Sequence, residues 1–217
     1  MILTSLLSDP RLLFSFIIAM IIGITVHEFS HALLAHQLGD KTSQALGRLS
    51  LNPLAHLDPI GTLMLLIAGF GWGKPVPVNP YSLRYGAKAG MMIVSLAGPL
   101  SNLVTAFVFA LPLRLDMVQE STLGGQGVNI FTLLYFIVNI NLILCVFNLL
   151  PLAPLDGFKV AVGILPRNMA AAYAQTERYG MMILLGILFL DYLLPVHILS
   201  GILSPPLRLL GALVGLP

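Results

Sequence analysis

Charge is what this sequence has least of. Only 9% of its 217 residues are Asp, Glu, Lys or Arg, against about 25% in a soluble globular domain. So few charges cannot clothe a water-soluble surface around a chain that is 57% hydrophobic, with a mean hydropathy of +0.93. A single cysteine, Cys145, excludes an internal disulfide, and its apolar surroundings make it a small core hydrophobe. The net charge of +2 is scattered, which excludes a nucleic-acid-binding face and leaves no nucleic-acid partner to expect. No Ser/Gly linker, acidic tail, internal repeat or appended soluble module is visible, so residues 1–217 are expected to form one membrane domain.

What is present is a series of apolar runs, at residues 12–38, 60–70, 91–113, 130–152, 181–194 and 196–216. A helical crossing takes about 20 residues. The first, third and fourth runs are long enough. The second is short and leads into residues 69–80, where three glycines and three prolines forbid a regular helix and favour an extended edge or loop. The last two runs, separated by Asp191 and Pro195, suit either two crossings or one crossing and a surface helix. The fold class expected is an all-α polytopic membrane protein with about four to six membrane segments.

Inside the first run lies His27-Glu28-Phe29-Ser30-His31, an H-E-x-x-H pattern. Residues four apart on a helix share a face, so both imidazoles can reach one zinc ion while Glu28 stands beside it as a base. Ionisable groups at membrane depth cost about 2.5–3.5 kcal/mol each on insertion scales and are functional by default. A zinc hydrolase usually takes a third protein ligand. Asp156 is the strongest candidate. It follows the fourth run in a stretch that Pro151, Pro154 and Gly157 unwind, which can aim a carboxylate inward. Asp191 is the alternative carboxylate.

These elements resemble the site-2 protease family of intramembrane metalloproteases. The resemblance rests on His27-Glu28-Phe29-Ser30-His31, on Asn148 with Leu155-Asp156-Gly157, and on Ala97-Gly98-Pro99-Leu100-Ser101-Asn102, and it spans roughly residues 12–160. It implies that His27, His31 and Asp156 bind one Zn²⁺, that Glu28 is the catalytic base and that Asn148 lies near the reacting carbonyl. It further implies a three-helix catalytic core and a re-entrant β-like loop that presents substrate. The expected substrate is a single-pass membrane protein. The PDZ module of some members and a CBS module are both absent from the sequence.

In that mechanism Asn148 donates a hydrogen bond to the developing oxyanion, with Asn102 as a weaker candidate whose alternative is helix packing. Substrate must unwind to expose its carbonyls, and an extended edge carrying Trp72, Lys74, Val76, Val78 and Asn79 suits strand addition. His36 and His197 read as interfacial, and His56 is expected to pair with Asp58 in a turn.

One metal needs both motifs at one depth. Both lie toward the C-terminal ends of their runs, so those helices must be parallel with one crossing between them. Residues 57–80 are then expected to enter and leave the membrane on one side. Lys41, Arg48, Lys74, Arg84, Lys88, Lys159, Arg167 and Arg178 fall on that side, and Arg114 alone in the opposite loop. Positive charge favours the cytoplasm. The expected location is the cell (inner) membrane, with the site nearer the cytoplasmic face. The rival reading is a small membrane transporter for metal ions or protons built on the same His/Asp site.

Overall fold

The structure, a computed structural model, describes residues 9–68, 71–118, 129–193 and 198–215. Among them it is all-helical. Three helices are long and apolar enough to cross a membrane: α1 (Pro10–Gln37), α4 (Gly86–Arg114) and α5 (Ile130–Asn148). Between the first two lie α2 (Thr42–Ala45) and α3 (Pro59–Ala68); beyond the third come α6 (Asp156–Ile164), α7 (Arg167–Ala174), α8 (Glu177–Leu193) and α9 (Ile198–Val214). Phe70, Pro195, His197 and most of the loop after Arg114 lie outside the described residues.

Each long helix begins or ends for a local reason. The Asp9 carboxylate accepts the Arg11 N–H at 2.9 Å and Pro10 follows, an ordinary N-terminal cap for α1. The Asn129 side chain caps α5 by accepting the Phe131 N–H, also at 2.9 Å. Four polar residues within α1, Ser15, Thr25, His27 and His31, are buried, as polar groups deep in a membrane segment must be.

The relative directions of the three long helices follow from their contacts. Phe16 meets Phe136 edge-on at 6.4 Å, Met20 shares a core cluster with Ile140, and Gly23 abuts Leu144. Both numbers climb together, so α1 and α5 run parallel. His31 meets Val94 whereas His27 meets Asn102, so α4 runs antiparallel to α1. The chain leaves α1 and rejoins the bundle at one level, because Arg84 donates its N–H to the Leu38 carbonyl at 2.8 Å. Within that excursion α3 has ten residues, about half the length of a crossing.

Residues 72–79 are extended, but no β-strand occurs among the described residues. One antiparallel bridge joins Leu57 to Gly73. The Lys74 N–H donates to the His56 carbonyl at 2.7 Å, and the buried Arg48 guanidinium donates to the Lys74 carbonyl. The Asn79 N–H donates to Asp40 Oδ2 at 2.8 Å.

One expectation fails here: His56 does not pair with Asp58. Its ring is fully buried and Nε2 donates to the Ser50 carbonyl at 2.6 Å. Asp58 instead precedes the Pro59 that opens α3, and its carboxylate caps that helix by accepting the Gly61 N–H at 2.8 Å.

At the other end of the chain, Val214 of α9 packs into a cluster with Ala106 and Ala110 of α4 and Val138 and Leu142 of α5. Asp191 of α8 accepts the Leu199 N–H at 3.0 Å and so caps α9.

Candidate functional site

The H-E-x-x-H residues occupy the last third of α1, facing α4 and the start of α6. Asp156 is the first residue of α6, eight positions beyond the end of α5. The connecting loop is tied down from outside: the Tyr173 hydroxyl of α7 donates to the Pro151 carbonyl, and the Tyr173 ring lies 4.9 Å from that of Phe158. A Cβ at position 157 would sit 2.2 Å from the Leu149 carbonyl oxygen, so only glycine lets the loop close and turn Asp156 inward.

The result is a tight convergence. Asp156 Oδ2 lies 3.0 Å from His27 Nε2 and 3.1 Å from His31 Nε2, and the two Nε2 atoms are 3.0 Å apart. The three side chains are nearly buried, at 9%, 9% and 12% exposure. Gly98 of α4 forms the floor: a Cβ there would come within 2.5 Å of His31 Nε2 and 2.6 Å of His27 Nε2. Among the described residues this is the one group of three metal-ligating side chains within mutual reach. Asp191, the alternative third ligand, is spent on its helix cap.

The hydrogen-bond network assigns the imidazole protons. His31 Nδ1 lies 2.7 Å from the Val94 carbonyl, which can only accept, so Nδ1 carries the hydrogen. Asn102 donates from Nδ2 both to the Gly23 carbonyl at 3.0 Å and to Asn141 Oδ1 at 2.8 Å. Its Oδ1 therefore faces His27 Nδ1, at 2.6 Å, as an acceptor. Asn141 is held in turn, donating to the Ile137 carbonyl at 2.8 Å. With Nδ1 engaged behind it, each imidazole turns its Nε2 toward the other ring and toward a carboxylate oxygen.

Three lone-pair donors some 3 Å apart repel one another unless a cation joins them. Two imidazole nitrogens and one carboxylate oxygen are a donor set that zinc takes, with bonds of about 2.0–2.2 Å and a fourth position left open. The residues present fit zinc, and the carbonyl and carboxamide behind the imidazoles are the outer partners such ligands require.

Beside this centre is a cavity of about 260 Å³, lined by Glu28, Val76, Val78, Asn148 and Lys159 among others. Glu28 is half-buried, and its Oε2 accepts the Val76 N–H at 3.1 Å. A second, more apolar cavity of about 320 Å³ meets the first at His27, Glu28 and Asn148 and extends past Trp72 and Leu155 to Met181 and Leu184 of α8. Asn148 Nδ2 donates to the Leu144 carbonyl at 2.9 Å, one turn back on its own helix.

Of the residues singled out for substrate, Trp72, Val76 and Val78 line these cavities. Lys74 and Asn79 line neither; Lys74 is exposed, and the Asn79 side chain accepts the Tyr81 N–H at 3.1 Å. Asn102 is fully buried behind His27 and lines neither cavity, so it orients the ring rather than meeting a carbonyl. Asn141, behind Asn102, and Lys159, on the cavity wall, are residues near the site that the sequence reading did not single out for it. A lone asparagine deep in an apolar run is the signal that would have flagged Asn141.

Three donors placed to hold one ion, with a carboxylate lining the adjoining cavity, are the arrangement of a metal-dependent hydrolase. Comparison with known proteins names the group. Residues 114–190 match peptidase family M50, a stretch that takes in Asp156. The chain is 40% identical over 170 residues to YwhC of Bacillus subtilis, named as a candidate zinc metalloprotease, covering 78% of this chain and 77% of that protein. It is 29% identical over 171 residues to Rip2 of Mycolicibacterium smegmatis and 30% identical over 175 residues to Rip2 of Mycobacterium tuberculosis H37Rv, both named in the same way. These two matches take in 77% and 78% of this chain and 64% of each relative. No solved structure matches significantly. The chain belongs to peptidase family M50, the site-2 protease family, and is an integral-membrane metalloprotease.

Proposed function

We propose that this chain is a single membrane domain that hydrolyses a peptide bond in or next to the transmembrane segment of a membrane-anchored protein, as a step of regulated intramembrane proteolysis. The observation that carries the reading is the convergence of His27, His31 and Asp156 within about 3 Å, with Glu28 and Asn148 on the adjoining cavity. His27, His31 and Asp156 would hold the zinc ion. When bound, zinc supplies Lewis acidity toward the attacking water and the scissile carbonyl.

The remaining chemistry falls to the chain's own residues. Glu28 accepts a proton from the attacking water and returns it to the leaving amine. Asn148 has one amide hydrogen beyond its bond to Leu144, and that hydrogen is available to the developing oxyanion, a contribution of about 2.7–4 kcal/mol in comparable sites. The Asn102–Asn141 pair keeps the His27 hydrogen on Nδ1. The unwound substrate lies along residues 72–79, with Trp72, Val76 and Val78 against it; Lys74 and Asn79 help hold the segment at its ends.

Residues 39–85 start and finish at one level of the bundle, and their described residues contain no helix long enough to cross. This supports their reading as a re-entrant element that dips beside the site. The cations clustered on that side support an orientation in the cell (inner) membrane with the site toward the cytoplasm. The substrate is then a single-pass membrane protein. Transport by the same residues draws no support from membership of a peptidase family.

The deciding experiment compares single-pass membrane fragments, by proteomics, in cells carrying the wild type or Glu28→Gln. Fragments that accumulate in the variant and disappear with the wild type are the expected result. Identical fragment profiles would remove intramembrane proteolysis as the function.

A further inference from the structure

Lys159 is the one ammonium or guanidinium among the described residues lining the catalytic cavity. It lies on α6 one turn beyond Asp156, half-buried, and lines the same cavity as Val76 and Val78. The ordinary reading of a lysine three positions after an aspartate on a helix is an intrahelical ion pair. That pair is not made: among the described residues Asp156 contacts His27 and His31 only, and Lys159 has no hydrogen bond or ion pair. The helix dipole does not explain the residue either. Cations are favoured at helix C-termini, and Lys159 stands near the N-terminus of a nine-residue helix.

The charges around the cavity sharpen the question. Imidazoles that ligate a metal ion do so in the neutral form. A divalent ion on His27, His31 and Asp156 offsets Asp156 and Glu28 together. Lys159 is then the cavity-lining charge left without a counter-charge. Val76, Val78 and Lys159 line one cavity, so a polypeptide laid along residues 72–79 shares that cavity with Lys159.

Resting on the proteolytic reading above, we propose that Lys159 is a specificity-determining residue that receives a carboxylate of the polypeptide substrate. The carboxylate is supplied by an acidic side chain close to the scissile bond or by a free chain end. A charge-assisted hydrogen bond of this kind is worth on the order of tenfold in selectivity.

The test uses the full chain, zinc-supplemented, in liposomes of neutral lipid. Model single-pass segments differ only in carrying Glu, Gln or Lys at one position, placed in turn on either side of the cut. The wild type is expected to cleave one Glu-bearing segment with kcat/KM about tenfold above its Gln counterpart. Lys159→Arg should keep that order and Lys159→Glu should reverse Glu against Lys, each with zinc content unchanged. A second arm measures displacement of a labelled segment from Glu28→Gln protein by short peptides ending in carboxylate or carboxamide. Lys159-dependent preference for the carboxylate ending, without discrimination among the segments, assigns the contact to a chain end. An unchanged order of Glu, Gln and Lys in Lys159→Glu, together with equal binding of both peptide endings, overturns the proposal. So does a rate loss that is uniform across segments and tracks anionic lipid, which would make Lys159 a headgroup anchor. Failure of the wild type to cleave any segment takes down the proteolytic reading and this proposal with it.

Discussion

Val76 donates its backbone N–H to the Glu28 carboxylate at 3.1 Å, across 48 positions of chain. The acidic residue of the H-E-x-x-H motif thus touches both the metal-site helix and the extended segment proposed to carry substrate. It does so through one oxygen, Oε2, and Glu28 also lines the cavity beside the metal site.

Glu28→Gln is the cleanest test of the base. The amide oxygen can still accept from Val76, so the segment should stay in place. The proton acceptor is lost, and cleavage should fall by about 10²–10⁴-fold. Bound zinc, measured by elemental analysis of the purified protein, should be unchanged; loss of zinc would move Glu28 from base to ligand.

Asn102 acts on His27 from behind. Asn102→Leu removes the acceptor that holds the Nδ1 hydrogen and strands the Gly23 carbonyl and Asn141. Zinc affinity in chelator competition should drop by about 10–100-fold. Asn102→Asp keeps the acceptor and should lose less. Equal affinity in all three proteins would make Asn102 a packing residue alone.

Gly98 is a matter of space. An alanine methyl would sit 2.5–2.6 Å from the Nε2 atoms of both histidines. Gly98→Ala should therefore abolish stoichiometric zinc binding while leaving helical content, read by circular dichroism, intact. Full zinc occupancy in the variant would show that α4 can yield.

Asp40 couples the end of α1 to the extended segment and gives a pH dependence. Its carboxylate accepts the Thr42 N–H at 3.0 Å, the Thr42 hydroxyl at 2.6 Å and the Asn79 N–H at 2.8 Å. Burial pushes its pKa up, but these three bonds outweigh burial and hold it below the usual carboxylate value. A depressed folded pKa adds stability above the unfolded value of about 3.9 and loses it as pH falls through the folded one. Asp40→Asn should therefore be less heat-stable than the wild type at neutral pH. The gap should close as the pH drops below about 4. A gap that stays constant with pH would show that the charge of Asp40 contributes nothing.

Much of the fold was readable because its causes are local. The runs at 12–38, 91–113 and 130–152 became α1, α4 and α5 with ends shifted by a few residues, since hydropathy over 20 residues leaves a membrane segment little choice. The short helices α6 and α7 carry no such signal. They exist because Tyr173, Pro151 and Phe158 meet in space. His56 was misjudged for a related reason: Asp58 was its neighbour in sequence, but the cap of α3 had the stronger claim on that carboxylate.

By itself, then, the sequence determined that the chain lives in a bilayer and carries two imidazoles on one helical face with a glutamate beside them, because periodicity and apolar length act within a few turns. Which carboxylate joins them was for the tertiary structure to decide. Asp156 turns inward on a loop tied by Tyr173, while Asp191 caps α9. The Asn102–Asn141 support, the Gly98 floor and the unpaired Lys159 were decided there too. Each depends on where separate helices meet, and contacts across tens of residues leave no periodicity to read.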